Sequence, residues 1–327
     1  MVNSKAFESV KPLVSVYCMT YNQKDTIVNA IESIVAQKTD FSFELIIHDD
    51  ASTDGTAEIV REYAKRHPDI VRPIFQSVNQ YRKCNFFKEF FAPKALGEYI
   101  AICDGDDYWC DTDKLQTQVE LMQNHPDCTM CFHAVEQLSP DGGKMIVRPL
   151  KATGEVDPQV IVKRGGMFCP TVSLMVRRDV MMLWPEFRCQ ADVYDYPTQV
   201  LAACLGKVYY IDKCMGVYRF ASRGSWTAQQ EGKVDYSHVE NEIDWLSKFD
   251  EYSNNRFSYS VNFHIVHLWF TEYRKTIDVN IKKKAYNYIK KLNFKDRSMF
   301  RILFLCFSVL GKTADKWWSA FKKRSFR

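Results

Sequence analysis

The 327-residue chain contains no apolar run approaching the ~20 residues that a membrane-spanning helix needs. Its first residues, MVNSKAFESVKP, lack the apolar stretch of a secretory leader, so no signal peptide is expected. It lacks a charge excess: 44 Lys and Arg stand against 40 Asp and Glu, a net of +4, too little to argue for nucleic acid. It also lacks paired metal-binding motifs. Cys128 and Cys131 form a single CTMC with no second CxxC or His pair near it, in an apolar strand-like run that reads as core. The 11 cysteines are odd in number, and a disulfide scaffold is not expected at this length; reduced thiols and a cytoplasmic setting are. Neither repeats nor low-complexity tracts occur. What is present is 46% hydrophobic residues, enough for a sizeable core in one large domain or two smaller ones.

The first 135 residues alternate strand-like and helix-like runs. Leu13–Met19 reads as a strand, followed by a helical apolar period at Ile27, Ala30, Ile31, Ile34 and Val35 with Asp25 as N-cap. Phe43–His48 reads as the next strand, then a helix through Ile59, Val60, Tyr63 and Ala64. Val71–Phe75, Tyr99–Cys103 and Cys128–Val135 are further strands; Phe86–Leu96 and Lys114–Asn124 are further helices. This is the pace of βαβ units, which implies an α/β fold with a mainly parallel sheet flanked by helices. Ligands of such sheets sit at the carboxyl ends of the strands.

Polar residues collect where those ends fall. Asn22 follows the first strand, Asp49 and Asp50 the second, and Asp104, Asp106 and Asp107 follow Tyr99–Cys103. Read alone, the last cluster suits either a solvated turn or a cation site, since close carboxylates repel and hard divalent cations take oxygen ligands. Three strand ends delivering polar groups to one sheet edge favour the functional site.

Three stretches carry a resemblance: LVSVYCMTYN (13–22), FELIIHDDASTDGT (43–56) and GEYIAICDGDDYWCDTDKLQ (97–116). They resemble glycosyltransferase family 2, enzymes of the GT-A fold, firmly over residues 12–135 and more loosely to about residue 226. The resemblance implies a Rossmann-like GT-A catalytic domain over 1–230, with a nucleotide-sugar half (12–135) and an acceptor half (136–230), then a helical C-terminal extension over 231–327. It implies inverting transfer from a nucleoside-diphosphate sugar, most plausibly a UDP-sugar, with Mn²⁺ or Mg²⁺. By position, Thr20, Tyr21 and Asn22 line the nucleotide pocket and Asp50 contacts uracil. Asp104 faces ribose and metal, Asp106 the metal, and Asp107 would share the ligation.

Inversion also needs a base at the acceptor. After a strand-like Val172–Val176, residues Ala191–Leu205 suggest a helix with acidic residues in its first turn. The family's acidic pair best matches Tyr194-Asp195-Tyr196, because Gly206-Lys207-Val208 follows at the family distance. Asp195 is therefore the expected base and Asp192 the second candidate; the plain alternative is helix N-capping. Burial beside Tyr194 and Tyr196 would raise the base's pKa. Cys169-Pro170-Thr171 is an acceptor-pocket candidate. Val217-Tyr218-Arg219 resembles the family's closing strand, but the His expected two residues on is Ala221. Arg223, in the loop beyond, would clamp diphosphate; an ordinary surface loop is the alternative. Of the seven histidines, His133, His238, His264 and His267 show no clear ligand spacing with acids.

The last hundred residues read as helical, with basic amphipathic KKKAYNYIKKL, apolar RILFLCFSVL, then Trp317-Trp318 and KKRSFR. That interleaving suits peripheral contact with an anionic membrane, at the cytoplasmic face of the inner membrane, or a helical appendage packed on the catalytic domain. The expected function is sugar transfer to a glycan or lipid-linked acceptor in bacterial surface-polysaccharide or lipopolysaccharide assembly. Two alternatives are a non-catalytic nucleotide-sugar or glycan-binding protein on the same scaffold, and a nucleotidyltransferase, for which MTYNQKD lacks the Gly-rich phosphate loop.

Overall fold

The structure, a computed structural model, describes residues 11–81, 85, 87–222, 228, 234 and 236–311. Two compact units interleave along the chain. One comprises Met1–Gly154, Cys169–Leu183 and Leu205–Ser225; the other comprises Glu155–Phe168, Trp184–Cys204 and Trp226–Arg327.

The first unit is built on a sheet. Its strands are β1 (Val14–Thr20), β2 (Phe43–Asp49), β3 (Val71–Phe75), β4 (Tyr99–Ile102), β5 (Tyr108–Trp109), β6 (Cys128–Leu138), β7 (Lys144–Val147), β9 (Met175–Arg177) and β10 (Lys207–Arg219), with β8 (Gly154–Val156) at the unit boundary. The order is β3-β2-β1-β4-β9-β6-β10-β5, and β7 pairs with β6. Strands β3, β2, β1 and β4 run parallel, β9 is antiparallel to both neighbours, and β6 and β10 are again parallel. β1 and β2 are buried on both faces, which is why apolar residues of VSVYCMT and FELIIHD fall on both sides of each strand rather than on one. Helix α1 (Ile27–Val35) buries Ile27, Ala30, Ile31 and Ile34; α2 (Thr56–Arg66) buries Ala57, Val60 and Tyr63; α3 (Lys114–Asn124) buries Leu115, Val119 and Met122.

Three local expectations change. The N-cap of α1 is Thr26, not Asp25, and it makes no side-chain cap bond. The helix expected over Phe86–Leu96 is a single π-helical turn, Phe87–Phe91; Phe87 and Phe91 both pack on Tyr17, with ring centroids 5.2 and 4.7 Å away. The strand expected over Val172–Val176 opens as a 3-10 turn, Thr171–Ser173, and β9 begins only at Met175; the Ser173 hydroxyl bonds the Pro170 carbonyl and holds that turn. A short helix α5 (Arg178–Met181) completes this unit.

The second unit is helical: α4 (Pro158–Arg164), α6 (Glu186–Gln190), α7 (Asp195–Leu205), α8 (Tyr236–Tyr252), α9 (Ser258–Thr276), α10 (Val279–Ile289) and α11 (Phe294–Leu310). Its core is aromatic. Phe270 of α9 packs edge-on against Phe304 and Phe307 of α11, at 5.0 and 5.4 Å between centroids. Phe187 packs on Trp245 and Phe249. Such ring pairs add to the area they bury. No described helix is long and apolar enough to cross a membrane.

Candidate active site

The acidic loop of the first unit forms because β4 ends beside β1. Register pairs Tyr17 with Ile102 and Thr20 with Asp49, so β1, β2 and β4 end at one sheet edge. The loop is then tied back twice. The Gly105 amide donates to the Met19 carbonyl and the Cys103 amide to that of Tyr17. On its far side, β5 pairs with β10 through Trp109 and Gly216. A Cβ on Gly105 would stand 2.5 Å from Gln23 Oε1 and 2.8 Å from Thr20 Oγ1, so only glycine fits against the end of β1.

Asp104 and Asp106 are half-buried and Asp107 is buried. Asp107 Oδ1 accepts the Arg219 amide at 2.8 Å, stapling the loop to β10. Burial, then the nearby Asp106 charge, pushes Asp107 well above the usual carboxylate range, against the pull of the Arg219 amide. Below the loop, burial and the charges of all three aspartates push the Cys18 thiol well up. The Arg219 guanidinium donates to the Asp106 carbonyl at 2.5 Å and lies over the Tyr108 ring at 4.7 Å. The Ser222 hydroxyl donates to Asp106 Oδ2 at 2.5 Å. Neither Arg219 nor Ser222 was a predicted site residue; both act from over 110 positions away in sequence.

The neighbouring strand ends are equally organised. Asn22 stands in left-handed backbone (φ 52°), donates its amide to Ser52 Oγ and accepts the Thr53 amide on its side chain. Asp50 is buried, and its two oxygens accept the Gln80 and Tyr81 amides at 2.7 and 3.2 Å, ordering that loop. Ala51 (φ 64°) and Ala221 (φ 51°) also stand in the left-handed region, so three strand ends around the acids carry backbone strain. Tyr21 is 47% exposed, presenting a free ring. Thr20 Oγ1, Gln23 Oε1 and Asp49 Oδ2 are buried without a partner among the described residues.

Those features bear on a divalent cation. The donors on offer are carboxylate and hydroxyl oxygens, the set that Mg²⁺ and Mn²⁺ prefer. In donor chemistry, though not in convergence, the residues fit a hard cation. Among the described residues no three of His, Cys, Asp and Glu converge in metal-binding geometry. Arg223 lies outside the described residues.

A buried lysine underlies the loop. Lys114 is fully buried, donates to Gln118 Oε1 at 2.6 Å and stands 4.0 Å from the Trp109 ring centroid. Burial brings its ammonium down to about 7.

Asp195 and Asp192 belong to the second unit. Asp195 opens α7, half-buried, and its Oδ1 accepts the Tyr196 amide at 2.7 Å. Tyr196 points into the helical core: its hydroxyl donates to the Val162 carbonyl at 2.7 Å, and its ring packs on Trp245 and His264. Asp192 is more exposed and faces His238 at 3.6 Å. His238 in turn faces Glu242 at 3.7 Å, and Glu242 accepts from or pairs with His264 Nε2 at 2.8 Å. The two histidines thus have acidic partners after all. The partners of His264 and of His238 toward Asp192 lie on other segments, so spacing along one helix did not reveal them. His133 is buried, with its ring nitrogen on the Ala134 carbonyl.

A family model described as glycosyl transferase family 2 matches residues 15–182, just over half the chain. The chain belongs to glycosyl transferase family 2. An uncharacterized protein of Mycobacterium tuberculosis is 36% identical over 214 residues, covering 65% of this chain and 60% of that protein's length. An uncharacterized glycosyltransferase of Nostoc is 31% identical, covering 67% of this chain and 70% of its own. The Escherichia coli protein WfaP, named a UDP-Glc:α-D-GlcNAc-diphosphoundecaprenol β-1,3-glucosyltransferase, is 31% identical over half of this chain and 60% of its own. Among solved structures, Staphylococcus aureus TarS with UDP-GlcNAc superposes with a TM-score of 0.64 at 14% identity, covering 93% of this chain and 91% of that one. The Pyrobaculum calidifontis mannosyltransferase with GDP-Man and Mn²⁺ gives 0.54 at 17% identity, covering 94% and 88%. At those identities the likeness is one of architecture, and this family 2 member has the GT-A fold.

Proposed function

We propose that the protein is an inverting glycosyltransferase that takes a sugar from a nucleoside-diphosphate sugar, most plausibly a UDP-sugar. One observation carries the reading: the ends of three neighbouring parallel strands, β1, β2 and β4, set Thr20–Asn22, Asp49–Asp50 and the DGDD loop along one edge. Tyr21 would offer its exposed ring to the base, and Asp50 would accept the base's N–H beside the amides it already holds. Asp104 would face the ribose. Asp104 and Asp106, with Asp107 behind them, would hold Mn²⁺ or Mg²⁺, and diphosphate oxygens would complete the coordination. That ion, when bound, supplies charge neutralisation for the leaving diphosphate. Ser222 would hold the Asp106 carboxylate in place, and Arg219 the backbone carbonyl of the same residue. Arg223 would add a guanidinium to the diphosphate.

On the acceptor side, Asp195 would take the hydroxyl proton, with Asp192 the alternative. The acceptor oxygen attacks the anomeric carbon, the bond from that carbon to the diphosphate oxygen breaks, and configuration inverts. The acceptor would be a glycan or lipid-linked saccharide of bacterial surface-polysaccharide assembly, reached at the cytoplasmic face of the inner membrane. WfaP, 31% identical over half of this chain, is named for a lipid-linked acceptor. The catalytic domain is proposed to extend to about residue 230 and the helical extension beyond it.

A screen of nucleotide sugars for hydrolysis with Mn²⁺ tests the reading. Release of a nucleoside diphosphate from one of them is the expected result. Tight UDP binding with no hydrolysis or transfer would instead make the chain a binding module on the same scaffold.

A further inference from the structure

Residues 279–327 hold fourteen Lys and Arg against two Asp. That segment carries +12 in a chain whose total is +4, so the first 278 residues carry −8. Such asymmetry marks a segment that meets an anionic partner.

Within this segment α11 has two apolar faces. One is inside: Phe300, Leu303, Phe304 and Phe307 are buried, with Phe304 and Phe307 on Phe270 and Phe304 also 4.9 Å from Tyr273. The other faces solvent. Ile302, Leu305 and Val309, spaced three and four apart, are 60%, 59% and 73% exposed, and Phe294 at the start of the helix is 84% exposed. A surface helix ordinarily puts charge there. Exposed basic residues accompany this face: Lys295 and Arg301 on α11 itself, and Lys283, Lys290 and Lys291 on and just after the preceding helix, α10.

We propose that this outer face of α11 is the surface by which the protein lies on an anionic lipid bilayer. A bilayer uses both features: apolar side chains reach the acyl boundary while lysines meet the headgroups. A nucleic acid would use the charge but leave Ile302, Leu305 and Val309 in water. A second copy would set like charge against like across a self-complementary face. The length and composition of α11 allow it to lie on a bilayer and not to cross it. The proposal rests on the transferase reading only for its purpose, which is to bring the site to a membrane-borne acceptor.

The test is sedimentation of the full chain with phosphatidylcholine vesicles made with and without phosphatidylglycerol. The wild type is expected to sediment only with the anionic vesicles. The triple variant Ile302→Ser, Leu305→Ser, Val309→Ser is expected to bind about tenfold or more weakly. Because the three side chains are exposed, its circular dichroism should match wild type. A second variant, Lys290→Glu with Lys291→Glu, should also lose about tenfold. Wild-type protein that stays in the supernatant overturns the proposal, as does a triple variant that binds like wild type. A dimer that the triple variant abolishes, with neither protein on vesicles, assigns the face to a second copy and overturns it too. Nucleotide-sugar hydrolysis without vesicles should be unchanged in both variants. If vesicle binding behaves as expected but no nucleotide sugar is turned over, the functional reading falls and the membrane face stands.

Discussion

The two acidic regions of this protein are held in different ways. The DGDD loop is overdetermined: backbone bonds tie it to β1, a strand pair ties it to β10, and Arg219 and Ser222 grip Asp106 and Asp107. Asp195 and Asp192 stand at and before a helix start, where Asp195 accepts its own neighbour's amide and Asp192 meets a histidine 3.6 Å away. Under the proposed function the difference suits two tasks. A leaving diphosphate is the same in every turnover and rewards a rigid cradle. In that reading an acceptor-side carboxylate must meet a second substrate and exchange a proton, which a position at a helix start permits.

The largest effect should come from breaking the rigid side. Asp106→Ala is expected to lower Mn²⁺-supported hydrolysis of the nucleotide sugar by roughly a thousandfold, with the thermal transition little changed because Asp106 is half-buried. Full activity in that variant would remove Asp106 from the cation site. Next, Asp195→Asn should cut transfer by about a hundredfold or more while donor affinity, read by calorimetry with UDP, stays at wild-type level. If Asp192→Asn shows that pattern and Asp195→Asn does not, the two carboxylates exchange roles.

Lys114 sharpens the comparison from beneath the loop. Its folded pKa of about 7 lies below the ordinary lysine value of 10.5. Between those two values the unfolded chain binds the extra proton, so this residue makes stability rise with pH across that window, and its full penalty applies below 7. Lys114→Met should therefore stabilise the protein at neutral pH by on the order of 2 kcal/mol. The gain should shrink as pH rises toward 10, as denaturant titrations at several pH values would read; a constant or growing gain would mean the lysine is not neutralised by folding. The smallest effect concerns strain. Ala221 holds a left-handed backbone (φ 51°) one residue before Ser222. Ala221→Gly should raise stability by about 0.5–1 kcal/mol, and a lower melting temperature would place the strain elsewhere.

How much of this was readable beforehand follows from chemistry at short and long range. The polar strand ends after β1, β2 and β4 were legible because a buried parallel strand carries apolar residues on both faces, and the polar residues that end it fall at a predictable sheet edge. The family stretches supply the roles proposed for them. The gripping of Asp106 by Ser222 was not legible, because the two residues lie 116 positions apart and meet only when β10 returns beside the loop. The Glu242–His264 pair was hidden in the same way, its members sitting on different helices and 22 positions apart. The stretch over Phe86–Leu96 reads as helix by period, yet packing of Phe87 and Phe91 on Tyr17 keeps only one wide turn.

By itself, the sequence determined the α/β alternation, the strand ends that bear Asn22, Asp50 and the DGDD acids, and the basic amphipathic character of the C-terminal helices. These are local properties, set by residue period and by what may follow a buried strand. Only the tertiary structure decided that Gly105 must be bare against Thr20 and Gln23, that Asp107 is a staple to β10 as well as an acid, and that α11 shows a second apolar face to solvent. Each depends on which distant backbone or side chain arrives alongside, and no spacing within a segment encodes that arrival.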